Sequence, residues 1–367
     1  MIYIHIPFCK SRCLYCDFFS STSSEMKNDF VKALLKEIEG RAEELRLARA
    51  NTIYIGGGTP SQLSAEHLKS IFDALQLVAP LCDGAEVTIE CNPDDITHEF
   101  VSSLKSMPVN RISMGVQTFD DGLLRLLRRR HTSVQAHRAV SMLREAGYKN
   151  ISLDLMYGLP GQTMDMWKRD VEEVMSLQVP HLSAYSLQWE EGTPLYRMLE
   201  RGEVAEASDE VSREMYEYIV RTAAMYSMEH YEVSNFAMPG MRARHNSGYW
   251  RDEPYVGLGP GAHSYDGANV RSSNPSDLKG YIMSAGMPER EVEILDEDCL
   301  YEEKVLKGLR TIDGLDLSTL KPRYREYAVK MAEPHVRDGR MMQCGEVLRL
   351  TEDGIFVSND IMSDMML

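Results

Sequence analysis

Residues 1–20 read MIYIHIPFCKSRCLYCDFFS, a β-branched run followed at once by a loop that carries Cys9, Cys13 and Cys16. Three of the chain's seven cysteines therefore fall within eight residues. Three thiolates leave a structural zinc site one ligand short. They can hold a cubane iron–sulfur cluster through three of its irons and leave the fourth open for chemistry. Cys82, Cys91, Cys299 and Cys344 stand singly, and an odd count is no disulfide framework, so a reducing, cytoplasmic setting is expected.

Working outward from that loop, further β-rich runs begin at Asn51 (NTIYI), Glu86 (EVTIE), Arg111 (RISMGV), Ile151 (ISLDLM) and Leu182 (LSAYSLQ). Helical patterns lie between them: Phe30, Leu34, Ile38 and Ala42 recur every four residues along one face. Strand and helix in repeated alternation predict an α/β fold with parallel strands joined by right-handed crossovers. Six such units make a partial (β/α)6 barrel or a doubly wound sheet, and both place chemistry at the carboxyl ends of the strands. The polar signals fall there. The cysteine loop follows the first strand and GGGTP (Gly56 to Pro60) the second; Glu90 closes the third, Gln117 follows the fourth and Asp154 lies in the fifth. Taken singly, a glycine triplet is a tight turn and a lone acid a satisfied structural carboxylate. Together they read as the rim of an active site.

Composition narrows the class. With 367 residues, 43% hydrophobic and 26% charged, the chain can bury one large core and an appendage. The net charge of −16 argues against general nucleic-acid binding. No signal peptide is expected ahead of the first strand, and no apolar run approaches the roughly 20 residues of a membrane span.

CxxxCxxC after a first strand, with GGGTP after a second, resembles the radical S-adenosylmethionine (SAM) superfamily. That resemblance implies a partial (β/α)6 radical SAM barrel, a [4Fe-4S] cluster on Cys9, Cys13 and Cys16, and SAM on the open iron. A longer set of motifs, YIHIPFC, RISMGVQTF, DLMYGLPGQT, YEVSNFA and HNSGYW followed by YVGLGPGAHSY, resembles the oxygen-independent coproporphyrinogen III oxidase-like family over nearly the whole chain. Within it the chain is most similar to the haem-chaperone branch. Carried over by motif, the SAM positions are Tyr3, Tyr15, Gly57, Gly58, Thr59, Glu90, Gln117, Arg129 and Asp154. The glycine turn would hold the methionine part through free backbone groups, Glu90 would accept ribose hydroxyls and Tyr15 would lie near the adenine. In LLRRRH only the motif register selects Arg129, and Arg128 and Arg130 read as solvated.

Two features separate the branches. The oxidases resemble CxxxCxxCxC, and here the fourth cysteine's position is Phe18. RHNSGYW, from Arg244 to Trp250, resembles the HNxxYW segment of the chaperones, which implies haem on His245, Asn246, Tyr249 and Trp250. A neutral imidazole is a good iron ligand. The aromatic pair would stack on the porphyrin and Arg244 would meet a propionate. Read from composition alone, a histidine beside two aromatics is more often a hydrogen-bonded core residue. The oxidases also carry an amino-terminal extension that enters their substrate site, and this chain, beginning in its first strand, is expected to do without one.

The expected organisation is a barrel core over 1–230, an irregular lobe carrying the haem motif over 231–290 and a winged-helix-like α+β domain over 291–367. That last segment holds 17 acidic against 10 basic residues, a net of −7 and a poor DNA reader. Three functions remain open: a haem chaperone delivering haem to apo-haemoproteins, a radical SAM decarboxylase of coproporphyrinogen III, and a metal-stabilised binding module without SAM chemistry. The first implies haem, acceptor haemoproteins (by peripheral contact where these sit in membranes) and an electron donor for the cluster.

Overall fold

The computed structural model describes residues 1–367. Six strands carry the apolar runs: β1 (Ile2–Ile6), β2 (Ala50–Gly57), β3 (Leu81–Cys91), β4 (Arg111–Gln117), β5 (Asn150–Tyr157) and β6 (His181–Ser186). They pair in parallel, in sequence order, from β1 to β6. A doubly wound sheet reverses its order at a switch point. This one never does, so the strands form the arc of a partial barrel.

Alternation along each strand sorts the side chains. In β4, Ile112, Met114 and Val116 are fully buried in the hydrophobic core, whereas Arg111, Ser113, Gly115 and Gln117 border a cavity. β5 repeats the division, with Ile151, Leu153 and Leu155 outward and Ser152, Asp154 and Met156 inward. A side-chain period of two sets both faces at once. Helices cover the outer face, several started by a side-chain cap: Ser64, Thr97, Thr132, Thr163 and Ser208 each accept a backbone N–H of the first turn. Phe30, Leu34 and Ile38 of the first long helix, Lys27–Gly40, form the expected buried stripe. Ala42 instead opens a second short helix, Ala42–Ala48, because the first ends at Arg41.

Residues 231–290, expected as an irregular lobe, are stitched into the barrel by short strands. β7 (Glu229–Glu232) and β8 (Asn235–Ala237) extend the sheet antiparallel beyond β6, while β9 (Val256–Leu258) joins β1 in parallel on the opposite flank. The motif helix, Arg244–Trp250, crosses between them. β10 (His263–Tyr265), β11 (Val270–Ser273) and β12 (Glu291–Ile294) form a small antiparallel sheet of their own.

The remaining chain runs helix Glu297–Leu309, β13 (Leu315–Asp316), helix Pro322–Arg337, then a hairpin of β14 (Met341–Cys344) and β15 (Val347–Leu350). That winged-helix-like order encloses a separate core around Tyr301, Val305, Tyr324 and Leu348. It docks on the barrel's outermost strand, where Val233 N–H donates to Arg310 O and Ile312 N–H to Tyr231 O.

Candidate functional site

A cavity of about 670 Å³ runs through the barrel. At the carboxyl ends of the strands it opens on the cysteine loop; at their amino ends the motif helix closes it. Cys9, Cys13 and Cys16 are free, half-buried thiols on its wall. The loop is held from three sides: Cys9 N–H donates to Ser21 O, Leu14 N–H to Leu127 O, and Leu195 N–H to Leu14 O. Burial raises the Cys9 thiol and pushes Cys16 up to about 11. Such thiols favour a partner that takes the proton's place.

Donors already point at two of the sulfurs. Thr59 Oγ1 lies 3.5 Å from Cys9 Sγ, and Arg129 Nη1 lies 3.4 Å from Cys13 Sγ. Asn92 joins them, giving Nδ2 to Thr59 Oγ1 at 3.3 Å and accepting Arg129 Nη2 on Oδ1 at 2.6 Å. Three side chains, Thr59, Asn92 and Arg129, thus link one cysteine to another. Asn92 sits in ECNPDD and offered no motif signal; only the fold brings it to Arg129. The Nε of Arg129 is buried and has no partner, so the guanidinium keeps one donor unused beside the thiols.

Tyr3, Tyr15, Gly57, Gly58, Thr59, Glu90, Gln117, Arg129 and Asp154 all border this one cavity. The expected role of the glycine turn changes. Its N–H groups are not free: Gly57 donates to Glu90 Oε2 at 3.1 Å, Gly58 to Ile6 O at 2.8 Å and Thr59 to Phe8 O at 2.7 Å. A Cβ on Gly58 would stand 2.8 Å from Phe8 O, so the glycines serve the close packing of two loops. Gln117 ends β4 at a bulge, with φ of +69°, a strained conformation often found at functional sites. Arg128 is exposed, but Arg130 is not solvated: it pairs with Asp94 at 2.9 Å and Asp95 at 3.0 Å.

Glu90 is half-buried on the cavity wall. Burial raises its carboxyl to about 7, opposed by the hydroxyl of Tyr54, which donates to Oε1 at 2.6 Å. Asp154 is raised for the same reason, with Ser183 and Arg111 pulling the other way. Tyr54 connects two regions, since its ring lies 5.3 Å from that of His245.

His245 is 2% exposed, and neither ring nitrogen is free. Nδ1 lies 2.7 Å from Thr52 Oγ1 and Nε2 lies 3.0 Å from the Tyr249 hydroxyl. Burial and the nearby amino terminus push its pKa down to about 3, so the ring is neutral. Both backbone N–H groups at the helix start, Arg244 and His245, donate to the carboxylate of Glu86. The motif divides around the helix. His245, Asn246 and Tyr249 face the cavity; Trp250 faces a crevice against Gly308, Thr311 and Gly314 of the carboxyl-terminal module, its Nε1 buried without a partner. The aromatic pair therefore does not share one porphyrin face. Arg244 is exposed and bonds Gly84 O at 2.6 Å, away from the cavity. Phe18, 63% exposed, stands at the cavity mouth.

Residues 3–174 match the family model described as the radical SAM superfamily. "Heme chaperone HemW" of Lactococcus lactis is 39% identical over 325 residues, covering 88% of this chain and 84% of its own. The protein of that name from Bacillus subtilis is 35% identical, covering 98% and 97%, and that from Escherichia coli K12 is 30% identical, covering 98% and 96%. Among solved structures, coproporphyrinogen III oxidase (HemN) from Escherichia coli superposes with a TM-score of 0.85 over 99% of this chain and 89% of that one, at 22% identity. The last likeness is one of fold.

Proposed function

The chain belongs to the radical SAM superfamily and, within it, to the HemW family, and from that membership we propose that it binds haem and passes it to apo-haemoproteins. Its cofactors are the [4Fe-4S] cluster and SAM of the superfamily. The residues fit them: three free thiols on one loop, an unpartnered arginine Nε beside them and a close-packed glycine turn. Bound there, the cluster and SAM supply one-electron chemistry. The chain's own residues ligate iron through Cys9, Cys13 and Cys16, ease the sulfur charge through Thr59 and Arg129, and place Glu90 and Asp154 along the SAM pocket.

One observation carries the haem reading. The HNxxYW-like helix closes the same cavity that opens on the cysteine loop, so a ligand held by the motif meets the SAM site across Tyr54. His245 is already in the neutral form that ligates iron, and breaking its 3.0 Å contact with Tyr249 frees Nε2 for that task. Haem would rest on His245, Asn246 and Tyr249, with Trp250 anchoring the helix to the carboxyl-terminal module. The proposal includes an electron donor for the cluster, work in the cytoplasm and acceptors that include membrane haemoproteins reached from outside the bilayer. No helix is long and apolar enough to cross a membrane.

Anaerobic titration of reconstituted protein with haem tests the reading. We expect one haem per chain and no decarboxylation of coproporphyrinogen III in the presence of SAM and reductant. Sustained decarboxylation, or no saturable haem binding, would overturn it.

A further inference from the structure

The interior of a (β/α) barrel is ordinarily packed with branched apolar side chains. Here the end nearest the motif helix holds Arg111, Ser113, Ser152 and His181. Arg111 is 2% exposed and opens β4. Its only hydrogen bond runs from Nη1 to Asn150 Oδ1 at 2.7 Å, and its Nε is buried without a partner. Asp154 senses its charge, yet no carboxylate lies within ion-pairing distance of the guanidinium. A buried cation left in that state is costly unless an anion joins it.

Arg129 does not need the same anion. Its Nη2 bonds Gly115 O, four residues along β4 from Arg111, which is about 13 Å at the rise of a parallel strand. Arg129 stands beside Cys13 at the SAM end, whereas Arg111 and Asn246 of the motif helix both bear on the Tyr231 hydroxyl. Ser113 and Ser152 are register partners on adjacent strands one step above Arg111, and their hydroxyls are already engaged, Ser152 Oγ 2.7 Å from His181 Nδ1 and Ser113 with Asp154, so neither answers the guanidinium. We propose that Arg111 is a carboxylate-binding residue at the motif-helix end of the cavity, where it takes a propionate of the bound haem. The proposal rests on the haem reading above. A planar guanidinium with free N–H groups suits a carboxylate, which it can bind through two parallel bonds.

Affinities for haem and for haem dimethyl ester, which keeps the ring and iron but lacks both carboxylates, test this in the reconstituted protein. Wild type should prefer the diacid by about tenfold or more, the scale of a charge-assisted hydrogen bond. Arg111→Met should bring haem affinity down to that of the ester. It should leave ester affinity, iron content and the SAM-induced change in the cluster's EPR signal intact. Asn150→Ala removes the structural bond and should keep the preference. If Arg111→Met does not fold, Arg111→Lys carries the test, because it keeps the charge and loses the fork, which should narrow the preference. Undiminished preference for the diacid in the Arg111 variants overturns the assignment. So does loss of the SAM signal with that preference retained, which would give Arg111 to the methionine carboxylate. A wild-type chain that binds neither porphyrin removes the haem reading itself.

Discussion

At the scale of single residues, close packing explains Gly57 better than open space does. A Cβ there would lie 2.4 Å from His5 Nδ1, and the φ of +103° disfavours any side chain. Gly57→Val should displace the turn from the cysteine loop; iron should still load, while SAM no longer perturbs the cluster's EPR signal. Persistence of that perturbation would show that the turn is dispensable. Glu90 makes a pH prediction. Its carboxyl is near 7 when folded and 4.5 by default, so between those values the folded chain holds a proton that the unfolded chain has released. Stability before cofactor loading therefore falls as pH rises through this window, by up to about 3 kcal/mol from this group. Glu90→Gln should flatten that part of the profile in chemical denaturation at pH 4.5 to 7.5. An unchanged slope would mean that Glu90 ionises normally.

Among the elements, β9 depends on a buried ion pair. Glu37 and Arg41 lie on the helix behind it and join at 2.9 Å, with side chains almost wholly enclosed. Glu37 also accepts Gly259 N–H at 2.8 Å and the Tyr281 hydroxyl at 2.7 Å, while Arg41 reaches Gly257 O at 2.7 Å. The GLGPG turn after the motif helix is thereby explained as a structural joint. Glu37→Ala leaves Arg41 with Glu44 as its carboxylate partner, at 2.7 Å, but strips the buried Gly259 N–H and Tyr281 hydroxyl of their acceptor, and should cost about 2–5 kcal/mol in denaturant unfolding; a loss under 1 kcal/mol would place the joint elsewhere. Trp250 belongs to this scale too. Trp250→Phe should leave haem affinity within about twofold and lower stability by about 1 kcal/mol through lost packing against the carboxyl-terminal module. A tenfold loss of haem affinity with stability unchanged would return Trp250 to the porphyrin.

Across the whole molecule, the barrel was legible because six β-branched runs alternate with helices, and because RISMGVQ carries its inward polar and outward apolar residues in strict alternation. β8 and β9 were not, since three residues are too few to show a period. Sequence order placed His245 outside the barrel, whereas long-range pairing of β9 with β1 and β8 with β6 brings its helix across the open end. Tyr54 and Asn92 had no motif to mark them, and Arg111 opened RISMGVQTF without a role of its own; their roles appear only where strands far apart in sequence meet. The cysteines were legible by spacing alone, and the division of the haem motif into a cavity face and a module face was not, because seven residues of helix do not reveal what surrounds them. The account's central claim is that this cavity holds haem for delivery. The direct test mixes haem-loaded protein with an excess of an apo-haemoprotein and follows the acceptor's visible spectrum. Wild type should convert the acceptor to its holo form, while His245→Ala, with iron content and folding intact, should bind less haem and deliver less. Haem that stays on the wild-type chain while the acceptor remains apo would contradict the account.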